Sequence, residues 1–118
     1  MKENTQIYYL EIVTPNVEEV CASYSQSLNI SFNDAVEEFA GAKTASLSNG
    51  GTLGIRAPMH DAEEPTTRPY YLVTDIEKSV NEAEKTGALI AVPPMEIPGR
   101  GKCAVVMFGL VQSGFWQI

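Results

Sequence analysis

One local pattern occurs twice in this chain. "YYLEIVTPNVEEV" at 8–20 and "RPYYLVTDIEKSV" at 68–80 each run from aromatic residues through β-branched and aliphatic ones to a polar residue. Each then continues into acidic and apolar residues at helical spacing. The polar residues, Asn16 and Asp75, stand 59 positions apart. Both are good helix N-caps, because a short side-chain oxygen can accept a backbone N–H of the first turn. A period that long is outside most solenoid repeats, and two copies are too few to stack. The pattern fits an internal duplication of one small module.

The elements that follow each opening agree in order. Residues 7–14 are β-branched and aromatic and predict a strand. Val17, Val20, Cys21, Tyr24 and Leu28 then share one face of a helix, with Glu18 and Glu19 in the first turn where the helix dipole favours anions. "ISFNDAV" predicts a weaker strand, and "AKTASLS" and "GTLGIRA" flank the hairpin signal Asn49-Gly50. The segment 58–69, with three prolines and three acids, reads as a linker. Residues 70–74 predict the next strand, and Asp75 caps a helix that carries Ile76, Val80 and Ala83 and ends at Gly87. "ALIAV" is a strand stopped by Pro93-Pro94, "PGRG" a turn, and "KCAVVMF" and "GFWQI" the last two strands. The expected fold is α+β: one domain of two tandem β-α-β-β-β modules, 6–57 and 70–118, joined by the linker 58–69.

Charge and composition narrow the functions. Fifteen acidic residues against eight basic ones give a net charge of −7, which argues against a nucleic-acid partner and is compatible with attracting a cationic small molecule. No apolar run is long enough to span a membrane. The polar opening "MKENTQIYY" lacks the apolar core of a signal peptide, so a cytoplasmic protein is expected. Cys21, on the helix stripe, and Cys103, inside a strand, are expected to be buried reduced thiols. His60, the sole histidine, falls in the polar linker, so no Ser-His-Asp or Cys-His set can be assembled around it. The pairs Glu18-Glu19, Glu37-Glu38 and Glu63-Glu64 read as solvated charge, and "PGRGKC" as a turn and not a phosphate loop.

Paired β-α-β-β-β modules in a chain of this length resemble the vicinal oxygen chelate superfamily, which includes glyoxalase I, bleomycin-resistance proteins and extradiol dioxygenases. "EIVTPNVEEVCASYSQSLNISF" is similar to the family's opening strand and helix, with Asn29 where glycine is common. "SNGGTLGIRAP" resembles the end of the first module, and "YYLVTDIEKSVNEAEKTGALIAVPPMEIPGRG" the opening of the second. The resemblance implies curved half-sheets enclosing a cleft, a homodimer, and, in the enzymes, a divalent metal held by first- and last-strand side chains. It places those positions at Tyr9, Gly54, Arg68 and Gln117. Tyrosine, glycine and arginine are poor or impossible ligands, and one neutral amide cannot hold a metal alone. No metal and no cofactor are therefore expected, and the family's "DP-x-G" turn is replaced here by "LVQSG".

Strand alternation gives a second view of the cleft. If Leu10 and Ile12 pack beneath the helices, Tyr9 and Glu11 face the other way. By the same rule Arg56, Arg68, Tyr70, Phe115 and Gln117 join them, while Trp116 and Ile118 face the helices. The set Tyr9, Glu11, Arg56, Arg68, Tyr70, Phe115 and Gln117 mixes aromatics, charges and an amide, as a small-molecule pocket does. Glu11 is expected to pair with Arg56 or Arg68, or to orient a ligand between aromatic walls. The expected function is metal-free binding of a small organic molecule, cationic or aromatic, as bleomycin-resistance proteins bind theirs. The alternatives are a metal-dependent lyase, isomerase or dioxygenase of the glyoxalase type, and a non-catalytic interaction subunit.

Overall fold

The computed structural model describes residues 5–118. The fold is mixed α+β, with strands β1 (Ile7–Val13), β2 (Lys43–Ser46), β3 (Thr52–Arg56), β4 (Thr66–Leu72), β5 (Leu89–Ile97), β6 (Gly101–Phe108) and β7 (Val111–Gln117). Helices α1 (Val17–Leu28) and α2 (Ile76–Lys85) follow β1 and β4 respectively, so strand–helix openings recur where the sequence repeats. The described residues divide into two compact units, one holding Leu10–Thr67 and the other residues 5–9 together with Arg68–Ile118. Each unit has its own apolar core, and no helix among the described residues is long and apolar enough to cross a membrane.

In the Leu10–Thr67 unit, β3 lies between β2 and the second part of β1. Ile12, Cys21, Leu53 and Ile55 are buried together, with Leu10, Val17, Val20 and Tyr24 packed against them. The alternation expected for β1 and β3 therefore holds here. Asn29 ends α1 in the left-handed conformation (φ 55°, ψ 50°), a geometry that asparagine tolerates better than most residues, and its N–H bonds the Ser25 carbonyl. Asn16 precedes α1 as expected but makes no side-chain cap bond.

The "ISFNDAV" strand is not formed; only Val36 makes an isolated bridge, to Ala42. Asn33 and Asp34 disfavour extended pairing, and a single 3-10 turn, Glu37–Phe39, takes up the chain instead. The first module is thus one strand short of its copy. Its segment still serves the sheet, since the Asn33 N–H donates to the Thr44 carbonyl beside β2 (2.7 Å).

In the other unit the strand order runs from β1 through β4, β7 and β6 to β5. The Asp75 side chain accepts the Lys78 N–H (3.2 Å), so this expected cap is made. Ile76, Val80 and Ala104 form the core, with Val73, Ile90 and Phe115 against it. Pro93-Pro94 does not stop β5, as the sequence predicts, but is absorbed by register shifts between Ile90 and Val92 and between Val92 and Met95. Irregularity is tolerated there because β5 ends the strand order and needs a hydrogen-bonded neighbour on one side only.

Candidate functional site

Strands β4 and β7 run parallel, with Tyr70 opposite Gly114 and Leu72 opposite Trp116. Gly114 has no side chain, so the Tyr70 ring lies directly over it. Trp116, two residues on, presents its ring to the same face, and Tyr70 meets it edge-on at 5.7 Å and 81°. Tyr9 completes the wall at 5.9 Å from Tyr70 and 5.8 Å from Trp116. All three rings are buried. The indole N–H of Trp116 donates to the Arg100 carbonyl (2.9 Å), which ties the β5–β6 turn to this wall.

Arg68 shares the face of Tyr70 by strand alternation. Its Nε (3.1 Å) and Nη2 (2.7 Å) both donate to Gln112 Oε1, and Nη1 reaches the Tyr70 hydroxyl at 3.4 Å. Arg68 and Gln112 are half-buried, so the pair is partly accessible beside the Tyr70 hydroxyl. Of the expected residues, Tyr9, Arg68 and Tyr70 are thus brought together.

Phe115 and Gln117 are not, and this corrects the expected phase of β7. Phe115 packs into the core under α2. Gln117 Oε1 accepts the Ile76 N–H (2.8 Å), filling one of the donors that the first turn of α2 leaves open. Trp116 faces the opposite way from the one expected. Gln112 and Gly114, which share its alternation on β7, were not singled out from the sequence.

Glu11 and Arg56 meet in the Leu10–Thr67 unit. Arg56 is 4% exposed, and its Nε donates to Glu11 Oε2 (2.7 Å). Its two terminal nitrogens form a fork on Glu63, Nη1 to Oε1 (2.9 Å) and Nη2 to Oε2 (2.7 Å). The Glu63 carboxylate, then Glu11, hold the guanidinium still more firmly protonated than usual, against the effect of burial. Glu63, which the sequence reads as solvated, is therefore a structural carboxylate. Most of the chain's acidity also belongs to this unit: nine of the fifteen acidic residues lie in Leu10–Thr67, where only Lys43 and Arg56 are basic.

His60 is exposed in the loop after β3 and lines a cavity of about 530 Å³ with Met59, Asp61 and Glu63. Cys21 and Cys103 are buried and in no disulfide, and burial pushes the Cys21 thiol above its ordinary value, with Lys43 opposing. The residues at the family's metal positions do not fit a metal. Gly54 offers no ligand, Arg68 brings a positive charge, and the side-chain oxygen of Gln117 is committed to the Ile76 N–H. Among the described residues no three His, Cys, Asp or Glu side chains cluster to replace them.

No protein-family model and no curated protein matches the chain. Solved structures do, in fold. A hypothetical protein, BH1468, from Bacillus halodurans C-125 matches with a TM-score of 0.74 at 15% identity, over 98% of this chain and 96% of that one. Methylmalonyl-CoA epimerase from Mycobacterium tuberculosis matches with a TM-score of 0.67 at 12% identity, over 94% and 86%. A methylmalonyl-CoA epimerase in complex with methylmalonyl-CoA and NH4+ matches with a TM-score of 0.66 at 14% identity, over 96% and 94%. The chain thus has a glyoxalase-type fold.

Proposed function

We propose that the chain binds a small organic molecule, without a resident metal, at the pair Arg68 and Gln112 beside Tyr9, Tyr70 and Trp116. The observation that carries this reading is the placement of Arg68. Gln112 sets its guanidinium in register with the Tyr70 hydroxyl beside a wall of rings. A planar cation recognises carboxylates and other acceptors directionally, and the buried rings hold the Tyr70 hydroxyl beside it. The acidity that favours a cationic ligand lies in the other unit; the rest of the chain carries six acidic and six basic residues. The ligand class is therefore a small organic molecule bearing an acceptor group, with aromatic ones in the test panel. Fold similarity to methylmalonyl-CoA epimerases supports small-molecule binding and places acyl thioesters in the test panel.

The test is a thermal-shift screen of aromatic carboxylates, cationic aromatics and acyl-CoA thioesters on the wild type, Arg68→Gln and Tyr70→Leu. A hit should raise the wild-type melting temperature and lose its effect in both variants, which keep wild-type circular dichroism. A hit that both variants retain, or near-stoichiometric metal by elemental analysis, counts against the reading. Turnover of a hit would make the chain an enzyme, and a panel without hits would favour the interaction subunit. The same reading takes the chain to be a homodimer; a mass of 12.8 kDa by light scattering at micromolar concentration would sink that part.

A further inference from the structure

The segment between β3 and β4, which the sequence reads as a linker, is folded back onto Arg56 by its own Glu63. Both Glu63 oxygens meet both terminal nitrogens of the guanidinium, the end-on geometry by which arginine recognises a free carboxylate. Arg56 is separately anchored: Glu11 holds its Nε edge, and its Nη1 also reaches the Ala57 carbonyl at 3.2 Å. The fork therefore stays aimed whatever occupies it. Glu63 comes from a stretch without helix or strand, flanked by Pro58 and Pro65, and it also accepts the Met59 N–H (2.7 Å).

We infer that the Arg56 fork is a carboxylate receptor that the chain's own Glu63 occupies as a plug, and that a small apolar monocarboxylate can take its place. The neighbouring cavity gives the ligand its class. It is a groove of about 530 Å³ open to solvent, room for a small molecule, and Glu63 forms part of its wall. Pro15, Pro58, Met59 and Pro65 line it with apolar surface, while Asp61 on the same wall disfavours a dianion. The site lies within the Leu10–Thr67 unit, and Arg68 belongs to the other. For the intact chain to resist about 100 mM free carboxylate, the plug must act at an effective concentration of about 0.2 M, well above that of a flexible linker, as suits a carboxylate that the Met59 N–H also holds.

Emptying the fork tests this. Glu63→Ala and wild type are melted in sodium propionate and in sodium chloride at equal ionic strength and neutral pH, each salt at about 100 mM. The expected result is a variant that melts several degrees below wild type in chloride and gains about 4 °C in propionate, the size expected for ligand at about five times its Kd. Wild type should shift by less than about 1 °C under the same exchange. The gain should disappear when Arg56→Lys, which has no fork, is added to the variant. Glu63→Gln, which keeps the side chain's length and one acceptor, carries the same comparison where alanine fails to fold. Equal shifts in variant and wild type, or no preference for propionate over chloride in the variant, overturn the inference.

Discussion

Gly114→Ala is the change whose consequence follows most directly from the geometry. A Cβ built there falls 2.3 Å from Tyr70 Cδ2, 2.5 Å from Cε2 and 2.9 Å from Cγ, all inside the 3.0 Å that real Cβ contacts respect. Cγ is the root of the ring, so no rotation about the ring axis relieves the clash. Tyr70 must swing away or β4 must lift from β7. Tyr70 is 6% exposed and wedged between Tyr9 and Trp116, so either movement opens a packed aromatic cluster. Overpacking of this kind costs about 1–3 kcal/mol, and the rigid ring argues for about 2–3. The melting temperature should fall by about 8 °C. A double-mutant cycle with Tyr70→Ala isolates the cause, because without the ring the added methyl meets open space. Urea denaturation should then give Gly114→Ala a cost near zero in the Tyr70→Ala background, a coupling of about 2 kcal/mol. A cost that is the same in both backgrounds would show that the ring is not what Gly114 accommodates.

Three further outcomes are expected. Glu11→Gln should lose about 2 kcal/mol in urea denaturation, below the roughly 3–5 of a fully broken buried pair, because Arg56 keeps Glu63; a loss under about 0.5 would mean that Glu11 contributes no net stability. Gln117→Ala removes the acceptor for the Ile76 N–H and should cost about 1 kcal/mol, with faster amide exchange confined to the first turn of α2; unchanged exchange there would count against the cap. Cys21 should resist iodoacetamide past the ordinary thiol value of about 8.5. Because its folded value is raised, it contributes stability below the unfolded value that is lost as pH rises through the folded one. Rapid alkylation at neutral pH would contradict its burial.

The residues that carried the correct parts of the fold carried them locally. Asp75, Asn29 and Asn49-Gly50 mark ends and turns by their own chemistry, and the apolar spacing of α1 faces the core from Val17 to Tyr24, while Leu28, expected on the same stripe, is exposed at the helix end. The phase of β7 was not legible, because Phe115 and Trp116 are both large and apolar and alternation needs a contrast to read. What decides the phase is distant in sequence: the Tyr70 ring needs the space above Gly114, and the start of α2 needs an acceptor from Gln117. A glycine opposite a tyrosine in a parallel pair was the available signal, but it requires the register. The Arg56–Glu63 fork was hidden for a different reason. An acidic pair among prolines looks solvated until the guanidinium that claims one of its members has a place.

Trp116 is the only tryptophan in the chain, and Tyr8, Tyr9 and Tyr70 all lie within 6 Å of it between ring centres. Those tyrosines therefore hand their excitation to one buried indole, whose hydrogen bond to the Arg100 carbonyl sets its emission. The optical signal of the protein is consequently a report on a single unit. Release of Glu63 from Arg56 takes place in the other, which has Tyr24 as its sole tyrosine and no tryptophan of its own. An unfolding curve followed by emission therefore has its probe in one unit, and amide exchange is the measurement that reads both.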